Sequence, residues 1–111
     1  MPHCIIEHSS TINAEQLNNK VFLGALNSEL FEAYGRDIKV RSIAYESYQT
    51  GTEKEDFIHV TVRILSGRSD TDKAMLSETV MTQLLSLSLS RASITVEVAD
   101  MDRNSYEKVV V

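Results

Sequence analysis

The chain has 111 residues, of which 42% are hydrophobic and 24% are charged, and its formal net charge is −5. A chain of this length can bury a core without disulfides or metals, so one domain over residues 1–111 is predicted. The 11 basic residues form no run, which argues against a nucleic acid or an anionic membrane surface as a partner. No apolar stretch approaches the roughly 20 residues of a membrane span, and no signal-peptide pattern is present, so a cytoplasmic location is expected.

The first predicted elements are a strand over about residues 2–8 and a helix over about residues 14–34. Asn13 and Gln16 have the spacing of a helix N-cap and its N3 partner. Gly35 is a natural helix stop, because glycine adopts left-handed geometry without a Cβ penalty. Between these signals the apolar residues recur at helical spacing. This stripe consists of Phe22, Leu23, Leu26, Leu30, Ala33 and Tyr34.

Two strands are predicted next, over about residues 37–48 and 57–65. A turn at Gly51 and a charged loop after it separate them. In the later strand an apolar set of side chains alternates with a more polar set, which is the period of a strand with two different faces. Because the loop between the two strands is short, we expect them to pair antiparallel.

The second half of the chain, about residues 56–100, repeats the β-α-β pattern of the first half, about residues 2–50. Ser69 or Asp70 caps a second helix that is expected to end near Ser90. A strand over about residues 93–99 follows, and residues 100–111 form a polar tail with a β-prone end. The apolar stripe of this helix consists of Leu76, Val80, Leu84 and Leu87.

Two β-α-β units predict an α+β domain with a four-stranded mixed sheet and both helices on one face. The other face of the sheet would stay uncovered, and it would carry apolar and basic side chains together. Such a face is more readily buried against other subunits than left in solvent, so an oligomer is predicted. The predicted uncovered face includes Arg41, Ile43, Tyr45, Phe57 and His59.

The proline at position 2 lies at the start of the first predicted strand. As a structural residue it is ordinary, because proline is tolerated at strand starts. If Met1 is removed, which a small second residue generally permits, Pro2 carries a free secondary amine. Burial and nearby positive charge lower the pKa of such a cation, so the amine can act as a general base near neutral pH.

Three stretches of the chain carry a family resemblance. They are the opening Met-Pro-His-x-Ile-x-Glu, the run Val40-Arg41-Ser42, and the segment from Ile58 to Ser69, which ends in Gly-Arg-Ser. Together they resemble the 5-carboxymethyl-2-hydroxymuconate isomerase family of the tautomerase superfamily, over about residues 2–108. The resemblance implies the β-α-β-β-α-β tautomerase fold, a homotrimer packed around a three-fold axis, and a role in the bacterial breakdown of homoprotocatechuate, an aromatic acid.

The resemblance also implies a reaction and the residues that perform it. The family moves a proton along a conjugated 2-hydroxy acid and yields an isomeric unsaturated 2-oxo acid. Pro2 would be the catalytic base, and Arg41 and Arg68 would bind carboxylates of a small di- or tricarboxylate substrate. His59 is a further candidate for substrate binding, whereas His3 is interpreted as structural. No metal or other cofactor is predicted, because the histidines lack ligand spacing.

Other interpretations stay open. Arg41 could make an ion pair at a subunit interface, and Arg68 could be a surface residue of the turn before the second helix. The chain could be another tautomerase, or a hydrolytic relative, that acts on a smaller unsaturated acid. It could also be a trimeric binding protein without turnover.

Overall fold

The computed structural model describes all 111 residues, and the predicted order of strands and helices is confirmed. Neither helix is long and apolar enough to cross a membrane. The six elements are β1 (His3–Ser9), α1 (Ala14–Asn27), β2 (Lys39–Tyr45), β3 (Asp56–Leu65), α2 (Asp70–Leu85) and β4 (Ala92–Met101).

The sheet has the strand order β2-β1-β3-β4, which makes β1 a central strand. β1 pairs parallel with β2, and β3 pairs parallel with β4, as expected within each β-α-β unit. The predicted antiparallel pairing of β2 with β3 is wrong, because β1 lies between them and pairs antiparallel with β3. Neighbouring strands lie only about 4.8 Å apart. The connection over residues 46–55 is therefore long enough to pass the end of β1 and reach β3 on its other side.

The core lies between the sheet and the two helices, which cover the same sheet face as predicted. The alternation predicted for β3 is confirmed, since its four inward side chains are at most 1% exposed. Cys4 and Ile6 of β1 are fully buried in the same layer. The core cluster consists of Cys4, Ile6, Ile12, Leu17, Val21, Ala25, Ile38, Ile58, Val60, Val62, Ile64, Leu76, Val80 and Leu84.

The first helix ends at Asn27, so the predicted extension to about residue 34 is wrong. The Ser28 hydroxyl donates to the carbonyl of Ala25 at 2.6 Å, and Glu29 has a φ of 60°, which turns the backbone out of the helix. Leu30 belongs to the predicted apolar stripe because it packs against the core from the loop after the helix, as Phe31 also does. The predicted cap at the other end is confirmed, since the Asn13 side chain accepts from the backbone N–H of residue 16.

Gly35 belongs to the loop between α1 and β2 rather than to a helix end. Its φ is 71°, and a Cβ at this position would lie 2.6 Å from the ring of Phe22. Both the positive φ and the close ring therefore require glycine here.

The second helix ends at Leu85, so the predicted end near Ser90 is also wrong. Ser86 caps the helix through bonds from its backbone N–H and hydroxyl to the carbonyl of Gln83, and Ser88 has a φ of 53°. Leu87 packs against the core from the connection that follows. The start is as predicted, because Ser69 accepts from the backbone N–H of residue 72.

The two helices approach each other most closely at Gly24. A Cβ at this position would lie 2.6 Å from the Val80 Cα and 3.0 Å from the Thr79 carbonyl oxygen. These are backbone atoms of the facing helix, so they move only if the helix itself moves. A hydrogen is therefore the largest group that the contact accommodates.

We expect Gly24→Ala to destabilise the fold by about 1–3 kcal/mol, because overpacking outweighs the helix propensity that alanine adds. Urea unfolding followed by circular dichroism measures the effect. Asn19→Ala, at an exposed position of the same helix, is the matched control and should be neutral or slightly stabilising. Equal stability of the two variants would contradict the close helix contact.

Candidate active site

One end of the sheet collects four chain segments. His3 at the start of β1 is paired with Lys39 at the start of β2 and with Arg63 near the end of β3. Leu65 at the end of β3 is paired with Met101 at the end of β4. The first residues, the loop before β2, the turn after β3 and the segment after β4 therefore meet at this end.

A cleft of about 240 Å³ opens where these segments meet. Its volume suits a small organic acid rather than a large cofactor. The lining residues are Met1, Leu30, Phe31, Glu32, Asp37, Ile64, Leu65, Arg68 and Arg103.

The first two residues are held firmly beside this cleft. The Met1 ammonium donates to the carbonyl of Asp37 at 2.9 Å, and the Pro2 carbonyl accepts from the backbone N–H of Lys39 at 3.1 Å. Met1 lines the cleft, whereas Pro2 is fully buried. While Met1 is attached, the Pro2 nitrogen is an amide nitrogen and cannot act as a base.

The surroundings of the N-terminal ammonium disfavour its charged form. Burial lowers the pKa of the Met1 ammonium, and the cations of Lys39 and Lys108 lower it further, against a smaller opposing effect of Asp37. A lower pKa leaves more of the amine neutral near pH 7, which is the form that accepts a proton. The same cations would act on an amine placed one residue further along the chain.

Arg68 lies in the cleft, so the structure brings it together with the start of the chain. Its Nη2 donates to the Leu30 carbonyl at 2.6 Å, and its guanidinium carbon lies 5.7 Å from the centre of the Phe31 ring. No carboxylate lies within ion-pair distance of it. The guanidinium is therefore held by one edge and keeps donors free for an anion.

Arg41 lies on the uncovered face of the sheet and does not line the cleft of its own chain. Its Nη1 donates to Nδ1 of His3 at 3.2 Å, and Nε2 of His3 is bonded to the Tyr106 hydroxyl at 2.9 Å. Because a guanidinium only donates, Nδ1 of His3 must be unprotonated. Burial, followed by the charge of Arg41, lowers the pKa of His3 and favours this neutral form.

His59 also lies on the uncovered face, in register with Glu7 of β1 and Thr95 of β4. Its Nε2 lies 2.6 Å from a carboxylate oxygen of Glu97, and its Nδ1 lies 2.7 Å from the Thr95 hydroxyl. Both ring nitrogens are thus engaged within the chain. The structure does not bring His59 to the cleft.

No group of three His, Cys, Asp or Glu side chains is arranged to hold a metal ion. Burial raises the pKa of the Cys4 thiol to about 12, so it carries no thiolate at neutral pH.

Sequence reasoning missed the contribution of the segment after β4, which it described only as a polar tail. Arg103 lines the cleft and donates from Nε to the Ser66 carbonyl at 3.1 Å. Lys108 forms an ion pair of 3.3 Å with Asp37, and Tyr106 is bonded to His3. In the sequence, Tyr106 lies between the cationic residues Arg103 and Lys108. This pattern does not indicate against which part of the fold the segment packs.

Comparison with known proteins identifies the family of the chain. The family model for 5-carboxymethyl-2-hydroxymuconate isomerase matches residues 2–107, so the predicted family is confirmed and the predicted enzyme class, an isomerase, is supported. No curated protein matches the sequence.

Solved structures share the fold at low sequence identity. A 5-carboxymethyl-2-hydroxymuconate delta-isomerase is 16% identical with a TM-score of 0.79, and the match covers 100% of this chain and 89% of that chain. A 5-carboxymethyl-2-hydroxymuconate isomerase from Deinococcus radiodurans R1 is 19% identical with a TM-score of 0.78, covering 97% and 88%. A fused 4-OT wild-type symmetric trimer is 15% identical with a TM-score of 0.69, covering 94% and 91%. The predicted tautomerase-like fold is confirmed.

We expect Arg41→Gln to raise the pKa of His3 towards its ordinary value of 6.5, because the imidazole loses a neighbouring cation. Proton NMR titration measures this pKa, with the His3 resonance assigned by its absence in His3→Asn. Arg91→Gln removes an equal charge from an exposed position between α2 and β4 and should leave the pKa of His3 unchanged. An identical pKa in both variants would contradict the contact between Arg41 and His3.

Proposed function

Because the chain belongs to the 5-carboxymethyl-2-hydroxymuconate isomerase family, we propose that it moves a proton within an unsaturated 2-hydroxy or 2-oxo carboxylic acid. The proposed substrate is 5-carboxymethyl-2-hydroxymuconate, and the proposed setting is the cytoplasmic breakdown of homoprotocatechuate. One observation carries the proposal: the start of the chain and the guanidinium of Arg68 meet at one small cleft.

Pro2 is the proposed base, and it needs the removal of Met1. Without Met1, the Pro2 nitrogen becomes a secondary amine, and the part of the cleft that Met1 fills becomes free for the substrate. The pyrrolidine ring of Pro2 and the hydrogen bond from the Lys39 N–H to the Pro2 carbonyl hold this nitrogen in place. The base therefore loses little conformational entropy when the substrate binds. Burial and the cations that lower the pKa of the Met1 ammonium would also favour the neutral form of this amine.

The proposed reaction is a proton shift without a net gain or loss of atoms. The Pro2 amine takes the proton of the 2-hydroxyl group, and the electrons of that bond form the 2-oxo group. The double bonds move along the conjugated chain, and a carbon of that chain takes a proton back from the Pro2 ammonium. Fixed cations lower the barrier by stabilising the enolate charge that develops in between.

Arg68 is proposed to bind a substrate carboxylate. The protein carries a net charge of −5, so it repels a polyanion unless positive charge is concentrated where the anion binds. Arg68 provides such a charge at the cleft.

We propose that the chain forms a homotrimer through the uncovered face of its sheet. Ile43 on this face is 49% exposed. Arg41 precedes it by two residues on β2, and His59 of β3 lies across β1 from it. The fused 4-OT protein of the same fold is a symmetric trimer. Arg41 or His59 would touch a substrate only if the packing of subunits brings it to the cleft of a neighbour.

A smaller unsaturated acid is the second candidate substrate. The cleft measures about 240 Å³ with Met1 in place, and removal of Met1 would enlarge it, so its volume does not discriminate between the two acids. Relative turnover of 2-hydroxymuconate and its 5-carboxymethyl derivative decides between the two.

We expect the mature protein to lack Met1, and Pro2→Ala to lower kcat by about 10²- to 10⁴-fold, the usual contribution of a general base. Intact mass spectrometry reports the loss of Met1, and ultraviolet assays with both 2-hydroxymuconates report turnover. Circular dichroism shows whether the variant keeps the fold. Full turnover by Pro2→Ala, or by protein that retains Met1, would rule out Pro2 as the base.

We expect Arg68→Ala to lower kcat/KM by roughly 10- to 100-fold, because a charge-assisted carboxylate contact is lost. Its oligomeric state should not change.

Arg41→Ala separates the two interpretations of Arg41. Loss of a substrate contact would lower kcat/KM in an intact trimer, whereas loss of an interface ion pair would lower the fraction of assembled trimer. Sedimentation velocity alongside the kinetics measures both, and a monomeric wild-type protein would contradict the trimer.

A further inference from the structure

Arg103 is a second guanidinium at the cleft, and the proposed function leaves it without a role. We propose that Arg103 binds an additional carboxylate of the substrate and so makes the enzyme prefer tricarboxylates to dicarboxylates. This inference rests on the proposed function, because it assigns a specificity to the same cleft.

The backbone around Arg103 is held in a defined turn. Asp102 accepts from the backbone N–H of Asn104 at 3.2 Å and from the hydroxyl of Ser105 at 3.0 Å. The backbone N–H of Arg103 donates to the Ser66 hydroxyl at 3.3 Å. The side chain therefore starts from a fixed point against the turn that follows β3.

The guanidinium of Arg103 is also held, but only by one edge. Nε donates to the Ser66 carbonyl at 3.1 Å, and Nη2 lies 3.9 Å from the position that a Cβ of Gly67 would occupy. Neither Nη atom makes a hydrogen bond within the chain, and no carboxylate lies within ion-pair distance. Arg103 thus keeps the two terminal donors that grip a carboxylate.

The acidic residues of the cleft are already engaged elsewhere. Asp37 is paired with Lys108 at 3.3 Å, and Glu32 accepts from the backbone N–H of Arg36 at 3.0 Å. Arg68 and Arg103 therefore keep terminal donors for an anionic ligand, although the Glu32 carboxylate lines the same cleft and keeps its negative charge.

Arg68 and Arg103 are tied to different walls of the cleft. Arg68 is bonded to the carbonyl of Leu30 in the loop after α1, whereas Arg103 is bonded to the carbonyl of Ser66 in the turn after β3. Separate anchors favour two separate carboxylate contacts over a shared one. A substrate with an extra carboxylate gains from Arg103, and a dicarboxylate gains less.

The test compares kcat/KM for 5-carboxymethyl-2-hydroxymuconate, a tricarboxylate, with kcat/KM for 2-hydroxymuconate, a dicarboxylate. We expect Arg103→Gln to lower the first value by roughly 10- to 100-fold, mainly through KM, and the second by less than about 3-fold. Glutamine can still donate to the Ser66 carbonyl, which preserves the turn. Arg91→Gln, the same change at an exposed position remote from the cleft, should alter neither value.

Equal losses on both acids, or no loss on either, would overturn the proposal. Equal losses would mean that Arg103 binds a carboxylate common to both acids, and no loss would mean that it points into solvent.

Calorimetry separates this inference from the proposed function. Tricarballylate and glutarate are saturated tri- and dicarboxylates that need no catalysis to bind. Arg103→Gln should weaken tricarballylate binding by roughly 10-fold and leave glutarate within about 2-fold of wild type. If the wild-type protein turns over neither muconate, the proposed function fails, and this pair of dissociation constants still decides the role of Arg103. Equal effects on the two ligands would overturn it.

Discussion

The position of β1 between β2 and β3 is the constraint on which the rest of the molecule depends. Parallel pairing with β2 and antiparallel pairing with β3 bring the starts of β1 and β2 and the end of β3 to the same end of the sheet. The turn with Arg68 and the residues at the start of the chain become neighbours for this reason alone. Full burial of Cys4 and Ile6 under the helices makes a shift of β1 costly, because a one-residue slip would turn these side chains to the opposite face.

Positive charge at the cleft is held by backbone carbonyl groups rather than by carboxylates. Arg68 and Arg103 each donate to one carbonyl, which orients a guanidinium without neutralising it. An ion pair would have oriented it equally well but would compete with an anionic ligand. An acidic protein can thus present two guanidinium groups with free donors at one cleft, while the cations of Lys39 and Lys108 act on the amine at the start of the chain.

The repeating patterns in the sequence predicted which segments form strands and helices. The connections between these segments did not predict how the strands are arranged in the sheet. The alternation in β3 and the cap at Asn13 depend on neighbours in sequence, so local physics suffices for them. The order of the strands depends on which partners β1 finds on each side, and the loop over residues 46–55 permits either arrangement. The apolar stripe overestimates the length of α1 because Leu30 is partly buried without being helical. For the candidate site, the family motif indicated Arg68, which lines the cleft, and Pro2, which lies beside it. The contacts of Arg103 and Tyr106 are tertiary and leave no periodic signal in the sequence.

The bond between His3 and Tyr106 joins residues 103 positions apart in the chain. Ribosomal synthesis delivers the amino end first, yet the surroundings of that end include Arg103, Tyr106 and Lys108. Strands β1 to β3 could therefore form while the chain is still growing, whereas the cleft is finished only after the segment beyond β4 has left the ribosome. Residues at the amino end, which are made first, therefore acquire their full set of contacts last.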